Sequence, residues 1–394
     1  MDIHFPVSTL FNVVEYRKAT KRFLDAEETI EKIDRLQSKF KEVLIPVQLL
    51  STEERSAVAI VFERINRMGM ELDTFQLLSA WTWNDEFDLQ NEFKDLRDDL
   101  DEFGFSDVGE DSNLILRSTA AILLKDPSPD KLIGMNGADI RKQFPKVING
   151  IKGAIDFLRT QLNVRNIKNL PYDALLTPLS VFFAVDDKKE LSYDDRASKI
   201  IRTWFWRSCF GNRYSSQTKR TVIRDIEEII KLRNTGRSDL AKIHLNIDEK
   251  FFRDTYFRIG TANSKTFVLL LANNSPKSFI SGNDIDLDKV LQKYNKPEFH
   301  HIYPRSFLRS VGVNDVEANN LANFAIISSA ENKKIGGKAP SEYIKIMPKN
   351  KSGIKEIYKS ALLPVDFSDD DYKKFLDNRI SLLVLLAKKY CDLQ

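Results

Sequence analysis

At 394 residues the chain is too long for one ordinary hydrophobic core, so two or three domains are expected. Apolar residues make up 42% of it, and its sparse Gly (15) and Pro (13) favour helices over a β-sandwich. A formal net charge of +3 gives no global attraction to nucleic acid, so any such surface must come from local clustering. The two cysteines, Cys209 and Cys391, lie far apart and lack metal-ligand spacing. That excludes a disulfide scaffold and a Cys-based zinc site, and it fits a reducing compartment. Asp2, His4 and Pro6 interrupt any leader-like apolar run. The apolar run 380–387 is too short to cross a bilayer, so a cytoplasmic protein with no membrane partner is expected.

In chain order, Phe23, Ile30, Ile33, Leu36 and Phe40 recur at helical intervals and predict a helix within 20–48, with a start near Asp25. Residues 45–50 read as a short strand or extended crossing, and 52–67 as another helix ended by Gly69. Asp73 and Gln76 have the spacing of a capping box. Residues 84–111 hold twelve acids and two bases, which reads as a solvated face or loop rather than a partner surface. Helical patterns return at 113–125 and 136–162, and a helical middle region covers 170–232. A composition break near 234–248 precedes a block rich in Asn and short apolar runs, which closes in an amphipathic helix over 369–390.

The chain has four histidines, at 4, 244, 300 and 301, and two of them are adjacent within Glu298-Phe-His-His-Ile-Tyr-Pro304. On an extended strand, neighbours point to opposite faces, so these two share a task only if the strand end or Pro304 reorients one. Downstream, Phe324–Ile327 is a four-residue apolar strand, Ser328 or Ser329 can cap a helix, and Asn332 falls in its first turn.

This layout resembles the ββα-metal (HNH) endonucleases, in which an acid or His precedes a general-base His and Ile-x-Pro. In that family a central Asn opens the second strand, and an Asn or His follows on the helix with a basic residue close behind. The resemblance implies that His301 is the general base, His300 the first metal ligand, Asn323 the central Asn and Asn332 the second ligand. Lys333 and Lys338 fall where basic residues follow, and with Lys334 they are candidate phosphate contacts flanking the centre. Pro304-Arg-Ser-Phe-Leu308 and Ala339-Pro-Ser-Glu-Tyr-Ile344 also resemble the HNH domains of CRISPR effector nucleases. The implied cofactor is Mg²⁺, with Mn²⁺ or another divalent metal accommodated because His300 replaces the usual Asp with a softer imidazole. An imidazole with an ordinary pKa of about 6.5 can take a proton from water at physiological pH.

A wider resemblance covers most of 40–394. Val61-Phe-Glu-Arg-Ile-Asn-Arg-Met-Gly-Met-Glu-Leu-Asp73, Trp204-Phe-Trp-Arg207 and Gly211-Asn-Arg-Tyr-Ser215 resemble the GmrSD-type restriction proteins. These join an N-terminal nucleotide-dependent sensor to a C-terminal HNH nuclease and act on modified invading DNA. The family's Asp-Gly-Gln-Gln-Arg segment, part of a ParB-like fold, has no counterpart here, and no Walker-type loop replaces it. The chain is therefore expected to begin after that segment. NTP handling by this chain alone is not expected, and a sensor domain or partner subunit is implied. Asn66 and Gly69 read equally as remnants of a nucleotide-facing loop or as a helix end.

Residues 201–224 hold six basic residues and no acid, with Trp204, Phe205, Trp206 and Tyr214 interleaved. Arg207 and Arg213 there, and Arg305 and Arg309 near the histidines, are candidate phosphate contacts. Arg379 reads as a further phosphate contact or as half of a helix-packing ion pair. The expected fold is mainly α: a helical remnant over 1–165, a helical middle over 166–245, and a nuclease domain over 246–394. The ββα core of that domain covers 296–346, embedded in helices. The expected function is metal-dependent cleavage or nicking of DNA, including modified phage DNA, in bacterial defence. The alternatives are a DNA-binding or regulatory subunit with a degenerate HNH fold, and an NTP-dependent sensor fragment. The sequence leaves oligomeric state open.

Overall fold

The computed structural model describes residues 4–23, 26–44, 73–186, 191, 193–292 and 299–393, together with the single positions 47, 49, 51, 58 and 61. The expected crossing at 45–50, the helix over 52–67 and the 61–73 motif with Asn66 and Gly69 lie largely outside the described residues. The chain is mainly helical with one two-stranded antiparallel sheet, and it divides into two units, 1–58 and 59–394.

In the first unit, Asn12 caps α1 (Val13–Thr20) by accepting from the backbone N–H groups of Val14 and Glu15. The helix foreseen within 20–48 is α2 (Glu27–Glu42), which starts without a side-chain cap. Gln37 of α2 donates to the Leu10 carbonyl at 2.8 Å, and Leu10 and Ile33 form a very small core.

The second unit opens with α3 (Thr74–Thr82), started by Asp73 and Gln76 in a reciprocal capping box. The acidic run is the outer face of α4 (Leu89–Asp101), which buries Leu89, Phe93, Leu96 and Leu100 along one stripe. Helices α5 (Ser112–Leu124), α6 (Gly137–Leu162), α7 (Leu176–Phe183), α8 (Asp195–Phe210) and α9 (Thr218–Thr235) follow. Every residue of α7 is buried, so this helix is the axis around which its neighbours pack. Then come α10 (Ala262–Ala272), β1 (Phe299–His301), β2 (Phe324–Ile326), α11 (Ser329–Ile335), α12 (Lys351–Ala361) and α13 (Tyr372–Tyr390).

Two apolar clusters fill this unit. The larger draws on residues from Leu78 to Cys391, so the expected boundaries at 165 and 245 both fall inside it. The smaller gathers around Tyr303, Tyr343, Ile357 and Phe375. The β-ribbon is the wall between them. Phe299, Phe324 and Ile326 join the larger cluster, while Ile302, Ala325 and Ile327 join the smaller. Alternation along a strand explains the unbroken apolar run at 324–327, because both of its faces are covered.

Cys209 and Cys391 are buried free thiols, and burial pushes the latter up to about 12. Among the described residues no helix is long and apolar enough to cross a membrane.

One close helix contact is at Gly150 of α6, where a Cβ would stand 2.5 Å from the Ser180 carbonyl oxygen of α7 and 3.1 Å from the Ala184 Cβ. Alanine gains about 1 kcal/mol of helix propensity over glycine. Overpacking against an immovable backbone costs about 1–3 kcal/mol. Gly150→Ala is expected to lower stability, by a net of up to about 2 kcal/mol, in chemical denaturation. A variant at least as stable as the parent would show that α6 and α7 have room to separate.

Candidate active site

β1 and β2 pair antiparallel with His300 opposite Ala325 and His301 opposite Phe324. Just before β2, Asn323 is fully buried and its amide is spent on backbone. Its Oδ1 accepts from the Tyr303 N–H at 2.9 Å, and its Nδ2 donates to the carbonyls of Tyr303 (3.1 Å) and Ala318 (2.9 Å). Its own carbonyl accepts from the Ile302 N–H at 2.7 Å. Asn323 therefore locks the chain after His301 to the loop before β2.

His301 is half-buried, packed on the Phe324 ring at 4.3 Å between centroids, and Phe324 in turn stacks on Phe257. Its Nε2 lies 2.9 Å from Asn319 Oδ1. An amide oxygen only accepts, so Nε2 carries the proton in the neutral ring and Nδ1 is the basic nitrogen. Asn319 is itself anchored, its carbonyl accepting from Phe257 N–H at 2.8 Å.

The helix α11 is placed by Glu331. This carboxylate closes a capping box with Ser328 and also accepts from the Ser278 hydroxyl at 2.5 Å and the Ile280 N–H at 3.2 Å. Asn332 follows it in the same first turn. Gly336 (φ +61°) and Gly337 (φ +78°) end the helix, and a Cβ at Gly337 would stand 2.3 Å from Ser306 Oγ. The result is a cleft of roughly 380 Å³ lined by His300, His301, Arg305, Asn332 and Lys333, among others. The alternation expected of neighbours on a strand does not separate the two histidines, because β1 ends at His301 and the chain bends at Ile302 and Tyr303.

The other expected cations are in different positions. Arg305 and Arg309 both grip Asp315, each at 2.6 Å for its shortest bond, and their guanidiniums hold its carboxyl well below the usual range. Lys334 and Lys338 are exposed beyond the cleft.

Arg207 and Arg213 differ from expectation. Arg207 donates to the carbonyls of Cys391, Ala241, Ile243 and Asp392, tying α8 to two distant chain segments. Arg213 pairs with the buried Asp225, which also accepts from Tyr214 at 2.5 Å and Trp204 at 3.3 Å. Unmade bonds in a dry interior are costly, so these guanidiniums are held inside and the neighbouring Trp204, Phe205 and Trp206 are core.

Arg379 is fully buried as well, donating to the carbonyls of Ala322 and Ala361, the latter at 3.0 Å. Burial lowers it to about 9, so it stays protonated at neutral pH. Buried at this depth it presents no face to a phosphate in solvent, and it makes no ion pair with any described residue. Among the described residues no three His, Cys, Asp or Glu side chains gather as a metal site.

The sequence reading did not single out Asn319 or Glu331 for these roles. Asn319 sits in an Asn-Asn pair that reads as a turn, and no local spacing links it to a histidine 18 residues earlier. The Ser328–Glu331 spacing is itself a capping-box signal.

Comparison with known proteins adds little to this picture. No family model matches the chain. It is 25% identical over 370 residues to an uncharacterized protein of Methanocaldococcus jannaschii, a match covering 87% of this chain. The chain spans about 59% of the length of that relative.

Removing the Asn323 side chain leaves one buried N–H and two carbonyls without partners. Asn323→Ala is expected to cost roughly 2–4 kcal/mol, read as a lower denaturation midpoint at an unchanged slope. A loss below the error of the measurement would mean that the ribbon is held by packing alone.

Proposed function

We propose that this chain is a metal-dependent phosphodiester hydrolase of the HNH type, acting on DNA in defence against foreign or modified sequences. One observation carries the reading: His300, His301 and Asn332, which arrive from a strand and a helix, line a single cleft with Arg305 and Lys333. The defence role and modified DNA as substrate rest on the sequence resemblance.

The donor chemistry fits the implied ion. His300 supplies an imidazole and Asn332 an amide oxygen, two neutral ligands that leave positions for water and phosphate oxygens. When bound there, a divalent cation supplies charge neutralisation at the scissile phosphate and the leaving oxygen. His301 accepts the proton of the attacking water at Nδ1, while Asn319 holds the opposite nitrogen and so fixes the tautomer. Lys333 and the guanidinium of Arg305 hold phosphate oxygens at the cleft.

His300 standing where the family has a carboxylate favours one second reading, a subunit that binds DNA through this cleft without cutting it. Supercoiled plasmid, unmodified and modified, incubated with Mg²⁺ or Mn²⁺ separates the two. Nicking is expected, abolished by EDTA, and reduced roughly 10²–10⁴-fold by His301→Ala. DNA binding without any cleavage that His301→Ala removes would leave only the second reading standing.

The tautomer assignment makes its own prediction. A carboxylate at 319 favours the imidazolium, so Asn319→Asp is expected to raise the His301 pKa and move the acid limb of the rate profile up by roughly one pH unit. An unmoved limb with an unchanged plateau would show that Asn319 does not govern the base.

A further inference from the structure

We propose that the cavity between α5, α7 and the first turn of α9 is a second anion site, which takes a single phosphate group. This inference is independent of the nuclease reading. The cavity, roughly 320 Å³, is in the small range of ligand pockets. Arg117 of α5 and Lys219 of α9 both line it, and neither makes an ion pair or a side-chain hydrogen bond with any described residue. This contrasts with Arg207 and Arg213, which are held by carbonyls and by a carboxylate.

Two further features favour an anion. Thr177 of α7 lines the same cavity. It is only 2% exposed, and its hydroxyl has no hydrogen-bond partner among the described residues. A hydroxyl at the cavity wall with no protein partner is available to donate to an oxyanion. The 18-residue helix α9 also starts in the cavity wall without a side-chain cap, because Gln217 is left-handed (φ 49°) and its side chain makes no cap hydrogen bond. Uncapped N–H groups and the positive end of the helix dipole favour an oxyanion there.

Asp130 is the one acid in the lining. Two cations against one anion leave a single surplus positive charge, besides the dipole. That balance suits one phosphate monoester or diester better than a polyphosphate. The group can belong to a nucleic-acid backbone or to a small phosphorylated molecule, since both present the same oxygens.

The full chain and the Arg117→Gln/Lys219→Gln double variant are titrated with inorganic phosphate, followed by thermal unfolding. A short DNA duplex is then titrated at several salt concentrations. Thr177→Val serves as a second, nearly isosteric variant, and far-UV circular dichroism reports the fold of each. Phosphate is expected to raise the Tm of the parent, with affinity at least about tenfold weaker in the double variant and weakened in Thr177→Val as well. If the source is a nucleic-acid backbone, the slope of log affinity against log salt falls by about one for each cation removed. If the source is a small molecule, phosphate binding is lost while that slope stays put. Phosphate that stabilises parent and double variant alike, or neither, overturns the proposal.

Discussion

A side-chain amide in a dry interior must find partners on both its oxygen and its nitrogen, and Asn323 does so entirely with backbone. That demand organises the C-terminal half of the chain. By accepting from Tyr303 and donating to Tyr303 and Ala318, Asn323 sets the path that the chain takes immediately after the histidines. Neighbouring buried polar groups add to the same frame. Tyr343 donates its hydroxyl to the Ile302 carbonyl at 2.9 Å, Tyr303 donates to Phe367 at 2.7 Å, and Arg379 gathers the carbonyls of Ala322 and Ala361. These bonds run from α13 and from the segments before α12 and α13 to the one end of the ribbon where β1 finishes and β2 begins. A ribbon of only three residues per strand could not hold its own register in water. Here it is fixed by side chains that arrive from 20 to 64 residues away.

The ribbon also divides two apolar clusters, which explains why a two-stranded sheet persists in a helical protein. β2 has one face in each cluster, so a slip by one residue would exchange its contacts on both sides. The same constraint positions the cleft. His301 leaves the ribbon at its last residue with its ring on Phe324, and α11 begins three residues after β2 under the grip of Glu331. The histidine and Asn332 can therefore share a cleft without a long-range contact between them, since each is placed by its own local anchor.

Legibility in the sequence followed the range of the interactions. Capping boxes at Asp73–Gln76 and Ser328–Glu331 act over three residues and could be read off directly. So could the apolar strand at 324–327 and the closing helix, whose observed start at Tyr372 differs by three residues from the pattern. The acidic stretch over 84–111 was legible as a solvated face because Leu89, Phe93, Leu96 and Leu100 keep helical spacing beneath the charges. Roles that depend on distant partners were not legible. The basic stretch at 201–224 looked like a phosphate surface, yet Arg207 bonds carbonyls up to 185 residues away and Arg213 answers to Asp225. Composition counts charges and cannot tell whether a guanidinium meets water or the back of another helix.

Local charge balance makes that distinction. Arg213 with Asp225 sums to zero, and Arg207 keeps its charge but spends its donors on carbonyls, so neither has much to offer an anion. Arg305 and Arg309 share one carboxylate, so their group keeps a net charge of one beside the His300–Asn332 cleft. Asp315 thus acts as an orienting strut rather than a neutralising partner: it fixes two planar forks without cancelling both. A chain with a formal net charge of only +3 can present positive potential in this way, by occupying the donors of its interior arginines with carbonyls or a carboxylate and pairing its surface arginines incompletely. The field that an approaching phosphate meets is then set by the few cations left in surplus, and their positions follow from the same hydrogen-bond demands that build the core.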